Sequence, residues 1–307
     1  MKILIATEKP FALKAISKIG EIFENEGHEL ILLEKYSSKK DLVDSIKDID
    51  AIIIRSDIID KEVLDAAKKL KIIVRAGSGY DNVDLEVSTS KSICVMNTPG
   101  QNSNAVAELV VGLLIYLKRN RFDGSAGTEL KGKKLGLHAF GYVGEIVADI
   151  AHGFGMEVYA YSPSLSCNQS RGEEYGVIAV KSPEELYDNS DIVSLHMPAN
   201  VATKGSVNYD LMNRLPEGGI IINTARKEVI NEADLTRIMT EKARFQYATD
   251  IKPNNHDEMV SKFGNRYFAS VKKCGAQTSE ANINAGLAAA LQIVEFFKNG
   301  DEEFRVN

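Results

Sequence analysis

The residues best able to do chemistry lie in one turn and at the ends of a few apolar runs. Residues 139–144 read Ala-Phe-Gly-Tyr-Val-Gly. They follow the apolar run Leu135–Ala139 and precede an amphipathic helical pattern at 145–154, closed by Gly155. Val158–Tyr161 then reads as a second strand. Strand, glycine turn, helix, strand is a parallel βαβ unit with a dinucleotide fingerprint. Small residues let backbone N–H groups approach a pyrophosphate, and the helix start turns its positive end toward that anion. Two departures stand out. Ala139 occupies the place of the first glycine, and Ser162 stands where a strand-end carboxylate is expected, about 20 residues past the turn. A plain glycine connection between any strand and helix accounts for the same residues, so the neighbours must decide.

Three arginines close or follow apolar runs: Arg55 in AIIIR, Arg75 in KIIVR and Arg226 in INTAR. Ligands in open α/β sheets sit at the C-terminal ends of strands, and a guanidinium fork suits carboxylate or phosphate. Arg55 and Arg75 could hold a substrate phosphate, with Gly77 and Gly79 offering N–H groups to a carboxylate. A solvated strand end or loop arginine is the alternative for each.

These residues need elements to position them, and the chain supplies strands alternating with helices. Residues 2–6, 29–33, 51–55, 71–75 and 94–97 read as strands, with helices at 11–26, 39–47 and 61–68 between them. The runs are continuously apolar and β-branched rather than alternating, which indicates parallel strands covered on both faces. Asn97-Thr-Pro-Gly100 is a breaker, and Asn102–Leu117 reads as a long helix. Beyond the fingerprint, strands are expected at 177–180, 192–196, 219–223, 245–250 and 267–271, with helices at 183–188, 208–214 and 231–240. The helix 284–298 is expected to return to the first domain. The predicted fold is therefore α/β, with two doubly wound domains. Residues 1–100 plus 285–307 form a flavodoxin-like substrate domain, and 101–284 form a Rossmann-type dinucleotide-binding domain with six or seven strands.

The 307 residues carry a formal charge of −6, without a basic block, which does not indicate a nucleic-acid surface. The apolar run before Thr7 is too short for a signal peptide, and no segment approaches the roughly 18 apolar residues of a membrane span. Cys94, Cys167 and Cys274 are far apart and odd in number, which fits a reducing compartment and a cytoplasmic protein. No Cys/His cluster has zinc spacing, so no metal site is expected.

Several separated segments together resemble the D-isomer-specific 2-hydroxyacid dehydrogenases. Arg75-Ala-Gly-Ser-Gly-Tyr-Asp-Asn-Val-Asp84 and Asn97-Thr-Pro-Gly100 look like that family's substrate loop and hinge. Leu130–Gly136 precedes the fingerprint as it does there. Asp191–Pro198, Ile222–Arg226 and Gly275–Ala281 are similar to its later signatures. With Arg55-Ser56 and RAGSGYDNVD occurring together, the chain looks most like the short phosphoglycerate-oxidising branch.

The resemblance implies a hydride transfer between NAD and a small 2-hydroxy or 2-oxo acid, most of all 3-phosphoglycerate, in a cleft between the domains. It implies that Arg226 binds the substrate carboxylate, and that Arg55, Ser56, Arg75, Gly77, Ser78 and Gly79 hold the rest of the substrate. The cofactor would be bound by Gly141, Tyr142, Val143, Gly144, Ser162, His196, Pro198, Thr203, Thr224, Ala225 and Asp250. NADP is admitted because Ser162 replaces the usual acidic residue. The long helix 102–117 would form a homodimer surface.

The family's catalytic histidine falls on Lys273, and the glutamate that orients it is missing from Asp250-Ile-Lys-Pro-Asn-Asn-His-Asp-Glu258. A lysine can carry the same proton if its surroundings lower its pKa, and an ammonium needs no tautomer fixed. Asp257 or Glu258 could stand in for the glutamate. A merely cationic Lys273, in a non-catalytic cofactor-binding or scaffold descendant, is the competing reading, as is a dehydrogenase for another acid such as glyoxylate or hydroxypyruvate.

Overall fold

The computed structural model describes residues 1–167 and 169–307, with the side chains of Ser166, Cys167 and Gln169 also outside the description. The chain divides into two compact units, Met1–Asn102 with Ala276–Asn307, and Ser103–Gly275.

The first unit is built on β1 (Lys2–Thr7), β2 (Glu29–Glu34), β3 (Ala51–Ile54), β4 (Ile72–Arg75) and β5 (Cys94–Asn97). They pair in the order β2-β1-β3-β4-β5, all parallel, which is the flavodoxin-like arrangement. Successive side chains on a strand point to opposite faces, and here both faces are buried. Ile3, Ile5, Ile53 and Val74 enter one apolar cluster; Leu4, Ala6, Ile52 and Ile73 enter the other. The connections are α1 (Leu13–Asn25), α2 (Lys39–Ser45), α3 (Lys61–Ala66) and α4 (Leu85–Ser90). The last was not expected from sequence; Asp84 caps it by accepting from the Val87 N–H at 3.0 Å.

The second unit opens with α5 (Ser103–Lys118). Its strands are β6 (Lys134–His138), β7 (Glu157–Tyr161), β8 (Ile178–Ala179), β9 (Ile192–Leu195), β10 (Ile220–Asn223), β11 (Gln246–Thr249) and β12 (Tyr267–Ala269). The order is β12-β11-β10-β9-β6-β7-β8, a parallel sheet of Rossmann type extended by one strand. Helices α6 (Tyr142–Gly153), α7 (Pro163–Cys167), α8 (Gln169–Glu174), α9 (Pro183–Asp188), α10 (Tyr209–Arg214), α11 (Glu232–Glu241) and α12 (His256–Phe263) connect them. Ile220 and Ile222 face one apolar cluster and Ile221 the other, the same two-sided pattern.

The observed units end at 102 and 275, where 100 and 284 were expected. The reason is helix α13, which runs unbroken over Ser279–Asn299, capped by Thr278 and closed by Gly300 at φ 69°. Its alanines pack on α1; a Cβ on Gly286 would stand 3.0 Å from Phe11 and 3.1 Å from Ile19. A break at 284 would cut that helix in its second turn. Beyond it, Val306 donates to the Val95 carbonyl at 2.9 Å and Asn307 accepts from the Val95 N–H at 2.8 Å, covering the β5 edge.

Candidate functional site

In the second unit the sheet order reverses at β6, whose neighbours are β9 and β7. The turn from β6 to α6 carries the fingerprint. Ala139 sits at φ 77°, the left-handed region that favours glycine, and its N–H is held by the Tyr161 carbonyl at 2.8 Å. The missing first glycine is thus a substitution into glycine's own backbone conformation. Gly141 is the N-cap of α6, and a Cβ there would meet nothing within 4 Å, so the approach to the helix start is open. Gly144 is different: a Cβ would lie 3.1 Å from the Ala139 carbonyl and 3.3 Å from Phe140. Its absence lets the helix seat closely on the turn. Tyr142 is exposed and Val143 packs partly against the core.

Along the same edge lies a row of buried polar atoms. Among the described residues, His196 Nε2 after β9, Thr224 Oγ1 after β10 and Asp250 Oδ1 after β11 have no hydrogen-bond partner. Buried polar groups are ordinarily satisfied, so these three atoms could receive a polar ligand. Burial holds His196 neutral, its pKa pushed down to about 3, and lowers His138 to about 4. Pro198 and Thr203 form one loop, with Thr203 Oγ1 donating to the Pro198 carbonyl at 2.5 Å. Ser162 is buried after β7, its hydroxyl 2.8 Å from that of Ser164. Beside it a cavity of about 600 Å³ is lined by His138, Tyr161, Met197, Glu184, Asp210 and Arg214, a set sequence reasoning did not assemble. Those last three come from helix ends whose spacing in the chain gives no sign of a shared wall.

Asn223 organises the loop after β10: its Oδ1 accepts from the Ala225 N–H at 3.0 Å and its Nδ2 donates to the Arg226 carbonyl at 2.9 Å. Arg226 Nη1 reaches the Ala225 carbonyl at 2.9 Å. Asp250 anchors the segment that follows β12. Its Oδ2 accepts from the Gly275 N–H at 2.7 Å, and its carbonyl accepts from Ser270 at 2.9 Å. Burial raises the Asp250 pKa, opposed by the Gly275 N–H and by the charge of Lys273. Lys273 itself is exposed and feels the Asp250 carboxylate, so the surroundings expected to lower its pKa are not found. The segment after Pro253, where no helix was expected, folds from His256 into α12. There Glu258 pairs with Lys262 at 2.7 Å, and His256 Nδ1 lies 2.8 Å from the Tyr267 hydroxyl. Met259 and Phe263, buried at helical spacing, were the signal for this helix.

In the first unit the order reverses at β1, flanked by β2 and β3. Arg55, at the end of β3, spans that point. Its Nη1 donates to the Lys9 carbonyl at 2.9 Å, its Nη2 to Asn282 Oδ1, and it lies over the Phe11 ring at 5.2 Å. Arg75 Nε donates to the Arg55 carbonyl at 3.0 Å. Gly77, at φ 141°, makes room for the Arg75 guanidinium, since a Cβ there would fall 1.7 Å from its Nη1. Ser78 Oγ donates to Asn102 at 3.0 Å; Ser56 is exposed and Gly79 half-buried on the same strand-end edge. Sequence reasoning missed Asp57. It is buried and accepts from the Glu8 N–H at 2.9 Å, the Tyr36 hydroxyl at 2.7 Å and the Arg55 N–H at 3.1 Å, tying the ends of β1 and β3 together.

The D-isomer specific 2-hydroxyacid dehydrogenase catalytic-domain model matches residues 5–307. D-3-phosphoglycerate dehydrogenase of Sus scrofa is 32% identical over 91% of this chain, and that of Methanocaldococcus jannaschii 31% over 96%. Hydroxypyruvate reductase of Thermotoga maritima is 31% identical over 84% of this chain and 88% of its own length. The chain spans about half the length of the phosphoglycerate dehydrogenases, 54% and 57% respectively. The crystal structure of NAD⁺-bound 3-phosphoglycerate dehydrogenase from Entamoeba histolytica superposes with a TM-score of 0.92 at 48% identity, covering 100% of this chain and 98% of that one. Both strand orders are those of a two-domain dehydrogenase, and the family match runs through both units: the chain belongs to the D-isomer specific 2-hydroxyacid dehydrogenase family.

Proposed function

We propose that this protein is an NAD-dependent D-3-phosphoglycerate dehydrogenase. The observation that carries the reading is its likeness over the full chain to the Entamoeba histolytica enzyme, at 48% identity. When bound, the nicotinamide cofactor accepts or supplies the hydride at C2 of the acid. The second unit has the groups to hold it. The Gly141–Gly144 turn would take the pyrophosphate at the start of α6, and His196, Thr224 and Asp250 offer polar atoms that lack partners among the described residues.

Arg226 binds the substrate carboxylate as a two-donor fork and draws charge from the carbonyl as it becomes an alkoxide. Lys273 gives its proton to that alkoxide in keto-acid reduction and removes it in the reverse direction. Asp250 supports the charged form of Lys273 electrostatically and fixes its segment through Gly275. Asp250 thus takes over part of the orienting task of the family's glutamate. Glu258, already paired with Lys262, is not needed for it.

Arg55 and Arg75 select for the phosphate. Reduction of phosphohydroxypyruvate and hydroxypyruvate by NADH tests this reading against the one the Thermotoga maritima relative favours. Replacing Arg55 or Arg75 with alanine should lower kcat/KM for the phosphorylated acid by about 10- to 100-fold, the range of one charge-assisted contact, with little change for hydroxypyruvate. Equal losses on both acids would mean that the arginines brace the strand ends, and that hydroxypyruvate is the better substrate assignment.

A further inference from the structure

Ser162 ends β7 without the carboxylate that ordinarily reads the ribose, so other groups must tell a 2′-hydroxyl from a 2′-phosphate. The hydroxyls of Ser162 and Ser164, 2.8 Å apart, are neutral and admit either. The adjoining cavity of about 600 Å³ is not neutral. Glu184 enters it from the first turn of α9 and Asp210 from the first turn of α10. Glu184 lies near enough to His138 and Arg214 to interact with both electrostatically.

Arg214 is the one guanidinium or ammonium among the described residues that line this cavity, and it is engaged. Arg214 Nη1 pairs with Asp188 at 2.8 Å, and Arg171, on the helix that follows the Ser162 segment, closes on Glu145. His138 is buried and neutral at neutral pH. Glu184, Asp210 and Asp188 thus stand against the single guanidinium of Arg214. Apolar walls from Tyr161, Met197 and Leu211 strengthen the resulting field within the cavity.

We infer that Glu184 and Asp210 take the place of the missing strand-end carboxylate and select a dinucleotide without a 2′-phosphate. A phosphate monoester carries about −1.5 to −2 charges near neutral pH and is repelled here, the one arginine among the described lining residues being paired with Asp188. The inference rests on the reading that the second unit binds a nicotinamide dinucleotide.

The test titrates the full chain with NADH and with NADPH, following nicotinamide fluorescence, at about 50 mM and about 500 mM salt. At low salt the wild type should bind NADH at least tenfold more tightly, about 1.4 kcal/mol, and the ratio should shrink at high salt. The Glu184→Gln/Asp210→Asn double variant should gain NADPH affinity until the ratio is below about threefold, with the NADH Kd within about twofold of wild type. A folded double variant that keeps the wild-type ratio overturns the inference, as does a wild type that binds both cofactors equally. A folded wild type that binds neither overturns the cofactor reading itself, and this inference with it.

Discussion

On the reading proposed above, Lys273 exchanges the substrate proton and Asp250 anchors the segment that carries it. Lysine is a weaker acid than the histidine it replaces, so keto-acid reduction should persist to higher pH than a histidine donor would allow, and oxidation should keep rising into alkaline pH. Replacing Lys273 with alanine should lower kcat by about 10²–10⁴-fold, the worth of a positioned acid–base group, and leave the NADH Kd nearly unchanged. Lys273→His should recover part of the rate and move the pH profile acidward. Retention of more than about a third of wild-type kcat by Lys273→Ala, with chemistry shown rate-limiting by labelled NADH, would transfer the role to another group.

His138 makes a separate prediction at the same scale, about stability. Its folded pKa of about 4 lies below the ordinary 6.5 because burial disfavours the charged ring. The unfolded chain therefore binds a proton that the folded one refuses as pH falls below 6.5. The stability contribution is complete above that value and is lost progressively toward pH 4. Between about pH 7.5 and pH 5 the loss from this residue should be roughly 2 kcal/mol, read as a fall in the urea midpoint. His138→Leu leaves the Tyr187 hydroxyl, 3.3 Å away, without its ring partner and should be less stable at neutral pH. Its pH slope should nevertheless be shallower, and an unchanged slope would show that His138 does not titrate in this window.

At the scale of elements, the β6–α6 turn carries backbone strain at Ala139. Ala139 at φ 77° bears a left-handed penalty of roughly 1–2 kcal/mol, and glycine would remove it at an entropic cost of about 0.5–1 kcal/mol. Ala139→Gly should raise stability by up to about 1 kcal/mol, while Ala139→Val should lower it by more than that. Urea unfolding of the three proteins gives the order; a glycine variant less stable than wild type would contradict the strain account. Both sheets were legible from their runs of Ile, Val and Leu, because a strand buried on two faces leaves no room for polar alternation. α4 and α12 were less legible because their apolar signal is sparse: α4 buries Ser88, and α12 offers only Met259 and Phe263 in a polar stretch.

For the whole molecule, the resemblance implies a homodimer through α5, and the structure suggests a variant that isolates it. Gly112 is exposed at the middle of that helix, and a Cβ there meets nothing within 4 Å in its own chain. Gly112→Arg should therefore fold as well as wild type, arginine being the better helix former by roughly 0.8 kcal/mol. Sedimentation equilibrium should give twice the chain mass for wild type and the chain mass for the variant. A monomeric wild type, or a dimeric variant, would place the contact elsewhere or nowhere. Among the described residues no helix is long and apolar enough to cross a membrane.

The sequence by itself determined the parallel sheets, the place of the glycine turn and the arginines at strand ends. Each depends on residues close in the chain, where periodicity and backbone preference act directly. Only the tertiary structure decided the rest. It showed that Ala139 keeps the glycine conformation, that Asp57 ties two strand ends, and that Asp250 holds the segment carrying Lys273 through a contact 25 residues away. It also brought Glu184 and Asp210 to one cavity. The physical reason is that parallel strands send all their C-terminal ends to one edge, so loops far apart in sequence become neighbours. Which side chains meet there depends on strand order, and strand order is set by how the helices cover both faces of the sheet.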